Sequence, residues 1–92
     1  MIYEIEFSNQ YKRSRKQAIK RGLNIKELDD VVNMLANGQT LAPKYKDHRL
    51  EGEFKAFREC HIQPDWLLVY RIFKQKCLLY LLDTGSHADI FE

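Results

Sequence analysis

The sequence predicts an α+β domain ordered β-α-α-β-β-β, a helical hairpin packed on a mainly antiparallel four-stranded sheet. Three observations carry that expectation. Ile25, Leu28, Val31, Val32, Leu35 and Ala36 follow the 3.6-residue period of an amphipathic helix. The runs WLLVYRIF (66–73) and CLLYLLD (77–83) are almost continuously apolar, and only Lys74, Gln75 and Lys76 separate them. They read as a tight hairpin in a sheet buried on much of one face. Finally, a chain of 92 residues is expected to form one domain, because it buries only about 60–65% of its unfolded surface and cannot divide its core.

The remaining elements follow in order. Met1 to Phe7 alternates Ile2, Ile5 and Phe7 loosely with Glu4 and Glu6, as a first strand would. Ser8 can cap a helix over Asn9 to Arg21, which Gly22 is placed to end. That helix is thinly apolar, with Tyr11, Ala18 and Ile19 as its stripe. Asn24 with Glu27 opens the amphipathic helix in the manner of a capping box, and Asn37-Gly38 closes it. Only Gly22 and Leu23 join the two helices, so a hairpin is expected, with the amphipathic member supplying most of the burial. Gln39 to Gly52 reads as an ordered loop. Glu53 to Cys60 reads as a strand, tied through the turn IQPD to the strand at Trp66. Gly85 to Glu92 forms a tail that Ser86 can cap. Trp66 and Phe57 read as core residues.

Composition narrows the function. An apolar fraction of 45% with 12% aromatics is too rich for disorder. No apolar run approaches the roughly 18 residues of a membrane span, and no signal-peptide pattern opens the chain. A cytoplasmic protein without a membrane partner is expected. Cys60 and Cys77 make no disulfide framework and are expected reduced and at least partly buried. No Cys-x-x-Cys or His-x-x-x-His spacing occurs, so neither a metal site nor a cofactor is expected. The net charge is only +2, yet Lys12, Arg13, Arg15, Lys16, Lys20 and Arg21 fall within ten consecutive positions, and no acid occurs from Phe7 to Lys26. Such a block fits an anionic partner, nucleic acid above all, or simply a solvated helix face.

The chemistry gathers elsewhere. His48, His61 and His87 all lie at the ends of elements. A hairpin closed by IQPD sets His61 near Asp65, and the last strand returns the tail with His87 to the same end. His61, Asp65 and His87 are therefore expected to form one cluster, which His48 can join from its loop. Imidazoles with a carboxylate and nearby cations suit acid–base cleavage of an RNA phosphodiester. RNA carries its own nucleophile, the 2′-OH, so an enzyme has only to move two protons and steady the phosphoryl oxygens. Histidine serves either proton role. Lys46, Arg49, Arg58 and Arg71 are candidates for charge stabilisation, and Phe91 either clamps the tail or stacks on a base. The residues alone leave an enzyme and a basic RNA-binding module both open.

The stretches YKDHRLEGEFKAFRECHIQPDWLLVYRI (45–72) and LLDTGSHADIF (81–91) closely resemble the YafQ branch of the RelE/ParE toxin superfamily. The combination K-D-H-x-L-x-G, H-x-x-P-D-W and G-[ST]-H-x-x-x-F carries the resemblance, which spans essentially the whole chain. It implies a RelE-like fold and a type II toxin, a ribosome-dependent endoribonuclease that cleaves mRNA in the A site without a metal. Carried over by position, it implies His48, His61, Asp65 and His87 as catalytic groups and Phe91 as the residue that positions a base. Arg58, Lys46 and Arg49 would aid substrate binding, and the basic helix would meet rRNA phosphate. Implied partners are a cognate antitoxin, the 70S ribosome with its mRNA, and operator DNA through the antitoxin complex. Which histidine is the general base stays open, as does the role of Glu59, which stands where relatives carry Asp. The alternatives are a non-catalytic basic RNA-binding module and a ParE-like gyrase poison.

Overall fold

The computed structural model describes residues 2–91. Met1 and Glu92, counted above in the first strand and the tail, lie outside the described residues. Strand β1 (Glu4–Phe7) leads to helices α1 (Asn9–Lys20) and α2 (Ile25–Ala36). Strands β2 (His48–Arg49), β3 (Arg58–Gln63), β4 (Trp66–Phe73) and β5 (Leu78–Gly85) follow, and helix α3 (His87–Phe91) ends the chain. The sheet order is β1-β5-β4-β3-β2, with β1 parallel to β5 and every other pair antiparallel.

The helices begin and end where their caps dictate. The Ser8 hydroxyl accepts from the Tyr11 N–H at 2.9 Å, and Asn24 accepts from the Lys26 N–H. Gly22, at φ +80°, turns the chain out of α1. Arg15 and Asp29 then bridge the two helices through a bidentate ion pair. From α2, Leu28, Val31, Val32, Leu35 and Ala36 enter the core, whereas α1 contributes only Tyr11 and Ala18. They pack on Cys60, Ile62, Trp66, Leu68, Tyr70, Leu79 and Leu81 from the sheet.

Several boundaries differ from those the sequence predicts: β1 is assigned from Glu4, and two of the other differences move histidines. The loop from Gln39 to Gly52 contains β2, so the sheet has five strands rather than four. His48 pairs with Glu59, and Arg49 with Arg58. Two paired residues are too few to show any periodicity. The strand expected over Glu53 to Cys60 starts instead at Arg58, because Gly52–Phe54 form a 3₁₀ turn with Gly52 at φ +65°. It continues to Gln63, since Ile62 keeps the buried alternation that Cys60 begins, and His61 therefore lies inside a strand. The last strand runs on to Gly85. Cys77 falls in the preceding turn at φ +49°, exposed rather than partly buried, and both cysteines are free. Phe57 is half-buried and lies outside the central core.

Strand β4 is buried from Trp66 to Tyr70 on both faces. Trp66 donates its indole N–H to Thr84 at 3.0 Å, and the Thr84 hydroxyl donates to the Leu67 carbonyl, so the one buried indole is satisfied without water. No helix among the described residues is long and apolar enough to cross a membrane. Leu68, fully buried where β4 meets the helices, is the site where a cavity should cost most. Leu68→Ala should destabilise the fold by about 2–5 kcal/mol, read as a lowered urea midpoint with an unchanged slope.

Candidate active site

Strand alternation and register divide the chemistry between two faces. Cys60 lies opposite Leu68, and both belong to the core beneath the helices. Glu59 and His61 lie opposite Val69 and Leu67 and so share the other face, which His48 joins through its pairing with Glu59. The IQPD turn places Asp65 at its tip, and α3 folds back to bring His87 beside it.

The centre of the resulting cluster is Glu59. Its side chain is 5% exposed, and Oε1 lies 3.4 Å from His61 Nε2, 3.7 Å from His48 Nε2 and 4.0 Å from His87 Nε2. The other nitrogen of each ring is already committed. His48 Nδ1 lies 2.7 Å from the Lys46 carbonyl, His61 Nδ1 3.2 Å from the Pro64 carbonyl, and His87 Nδ1 3.2 Å from Asp65 Oδ1. Carbonyls and ionised carboxylates only accept, so each Nδ1 carries the hydrogen. All three rings thus turn Nε2, the proton-exchanging atom, toward one buried carboxylate. A ring protonated there gains an ion pair, and Glu59 gains the counter-charge that burial demands.

Asp65 accepts from both the backbone N–H and Nδ1 of His87. These two bonds, the backbone one foremost, hold its carboxyl below the usual carboxylate range. Asp65 is therefore ionised near neutrality and orients the His87 ring. Cys60 lies directly between Glu59 and His61 in sequence but points into the core, where burial pushes its thiol up to about 12, so it is no nucleophile.

The other candidates are distributed unevenly. Lys46 lines a cleft of about 480 Å³ beside His61, together with a second cation, Lys44, and two acids, Glu27 and Asp30. Phe91 meets Phe54 edge-on at 5.6 Å and lies 6.2 Å from the His87 ring, yet remains 38% exposed. Arg58 is not with the histidines. It lies on the Cys60 side of β3, held by Asp47 at 3.3 and 3.4 Å, and Asp47 also accepts from the Tyr70 hydroxyl at 2.6 Å. Arg49 pairs with Arg58 and reaches the Lys55 carbonyl, while Arg71 stacks on Phe73. In the basic helix, Arg15 is tied to Asp29 and Arg21 to Asp89. Lys12 lies over the Phe7 ring, Arg13 bonds Gln10, and Lys16 and Lys20 are exposed.

Glu59 is the site residue whose role the sequence left open. Glu59 and His61 are two apart in one strand, with Cys60 and Ile62 alternating into the core. That spacing would have placed the acid beneath the imidazole, had the strand not been ended at Cys60.

A family model for the bacterial toxin of type II toxin–antitoxin systems, YafQ, matches residues 3–92. The chain belongs to the YafQ family. It is 38% identical over 89 residues to the mRNA interferase toxin YafQ of Escherichia coli K12, spanning 96% of this chain and 95% of the relative. Its fold is similar to that of a metal-bound toxin from Helicobacter pylori, with TM-score 0.91, 49% identity, and 99% and 100% of the two chains covered. It is similar too to the E. coli DinJ–YafQ toxin–antitoxin complex, with TM-score 0.89, 36% identity and full coverage of both chains. The metal in the H. pylori relative invites comparison with the donors here. Imidazole nitrogens and a carboxylate are ligands a divalent transition metal takes, but among the described residues no group of three is spaced to hold one.

The Asp65–His87 contact gives this YafQ-family site a pH dependence of known sign. A carboxyl held low in the folded state contributes fully above the usual carboxylate range, and loses its effect as pH falls through the lowered value. The His87 amide should therefore be protected from hydrogen exchange at neutral pH and lose protection on acidification below the carboxylate range. In Asp65→Ala that protection, taken relative to the intrinsic exchange rate, should be missing at every pH.

Proposed function

We propose that this protein is a metal-independent endoribonuclease that cleaves mRNA in the ribosomal A site and so arrests translation. The observation that carries the proposal is the convergence of three Nε2 atoms on buried Glu59, each ring fixed through Nδ1. One neutral imidazole Nε2 removes the proton from the substrate 2′-OH, and O2′ attacks phosphorus. The P–O5′ bond breaks, and a second ring, protonated at Nε2 against Glu59, delivers its proton to O5′. The products are a 2′,3′-cyclic phosphate and a 5′-hydroxyl, so the two protons balance. Lys46 neutralises the phosphoryl oxygens, and Phe91, still exposed beside His87, offers its ring to a neighbouring base. Asp65 keeps His87 in the productive tautomer.

The basic helix supports the ribosomal setting. Lys12, Arg13, Lys16 and Lys20 have no acidic partner among the described residues, and such cations bind rRNA phosphate without reading sequence. The same charge suits an acidic cognate antitoxin, which would silence the toxin and, in complex, reach operator DNA. Such a protein works in the cytoplasm, where its ribosomes are.

Primer extension on a defined mRNA, with and without programmed ribosomes, tests the proposal. In-frame cuts that need the ribosome are expected, and His87→Ala should lower the single-turnover rate by about 10²–10⁴ while ribosome binding survives. Glu59→Gln, nearly isosteric but uncharged, should slow cleavage with binding retained. Absence of cuts from a folded, antitoxin-free sample would instead favour a non-catalytic binder or a gyrase poison.

A further inference from the structure

We infer that Arg21, although part of the basic block, is a positioning residue whose guanidinium grips Asp89 and so fixes the short helix that presents His87. The inference rests on the proposed nuclease reading. Helix α3 is five residues long, far below the length at which a helix persists alone. It exists here because its first turn is closed from several directions. The Ser86 hydroxyl accepts from the Asp89 N–H at 3.1 Å, while Asp89 Oδ2 accepts from the Ser86 N–H at 2.9 Å. These reciprocal bonds enclose His87, the residue after Ser86.

Arg21 completes the closure from outside. Its Nη1 meets Asp89 Oδ2 at 2.6 Å and its Nη2 meets Oδ1 at 3.2 Å, a two-pronged contact across 68 positions of sequence. The arginine backbone is itself fixed, since its N–H bonds the Gln17 carbonyl at the end of α1. Gly85 is what lets Asp89 fold back against the end of β5. A Cβ there would stand 2.9 Å from both Cβ and Oδ2 of Asp89. The pairing with Arg21 also holds the Asp89 carboxyl well below the usual carboxylate range.

An exposed ion pair adds little to the stability of a whole fold. Here it acts on a five-residue element at the turn that carries His87, so its effect falls on where His87 points. Arg21 has two possible duties that exclude each other: a guanidinium locked on Asp89 is not neutralising a phosphate. Asp89 discriminates between them, because a carboxylate cannot bind RNA phosphate, and an Asn in its place can still accept from the Ser86 N–H while losing the ion pair with Arg21.

The test compares Arg21→Ala, Asp89→Asn, their double variant, and the charge exchange Arg21→Asp with Asp89→Arg, in the full chain on programmed ribosomes. Each single change is expected to lower single-turnover cleavage about 10- to 100-fold, with ribosome binding held within about twofold. The double variant should be no worse than either single one, and the exchanged pair should recover activity. The ring signals of His87 should shift in Arg21→Ala while those of His48 stay in place. Wild-type cleavage by Asp89→Asn, or a loss in Arg21→Ala confined to binding, would overturn the clamp and return Arg21 to the phosphate-binding set. His87→Ala serves as reference. No cleavage by the folded wild-type protein would overturn the nuclease reading and the clamp together. Full cleavage by His87→Ala would overturn the role of His87 and with it the clamp, and an inactive His87→Ala beside fully active clamp variants would overturn the clamp alone.

Discussion

A buried carboxylate organises this molecule's chemistry. Ionised and unpaired, Glu59 would be costly on a face where the adjoining Val69 and Leu67 are fully buried. Its environment answers with three imidazoles drawn from three separate elements. His61 comes from the same strand, His48 from the edge strand paired with it, and His87 from the returning terminal helix. The cluster is therefore also a fold contact. It ties β2 and α3, which bury little of their own surface, to the middle of the sheet.

Each ring is held by the backbone or by a turn as well as by Glu59. The Lys46 and Pro64 carbonyls and the Asp65 carboxylate take the Nδ1 hydrogens, so tautomer and orientation are fixed before any substrate arrives. Preorganisation of this kind is what an acid–base site requires, because a ring that must rotate loses the advantage of being there. The opposite face carries a separate network, Asp47 with Tyr70 and Arg58. Asp47 directly precedes His48, so that network braces the same loop from behind.

Much of this was legible in the chain. The α2 stripe, the β4 run and the caps at Ser8, Asn24 and Ser86 lie where local rules put them, because each is a short-range pattern. His61, Asp65 and His87 were placed together by hairpin geometry alone, and the family motif supplied His48. What local patterns could not show was pairing. A two-residue strand has no period, Glu59 owes its importance to residues up to 28 positions away, and Arg58 and Arg21 look like free cations until the folded chain brings Asp47 and Asp89 to them.

The sheet's outer borders have a consequence of another kind. On one side it ends in the four residues of β1 and on the other in the two of β2. Unpaired strand edges are templates on which further copies can add, and short edges offer too few hydrogen-bonding groups to seed such growth. A protein built around an almost wholly apolar central strand thus keeps that strand behind two others on each flank. Its borders therefore offer other copies little backbone to pair with when they become crowded.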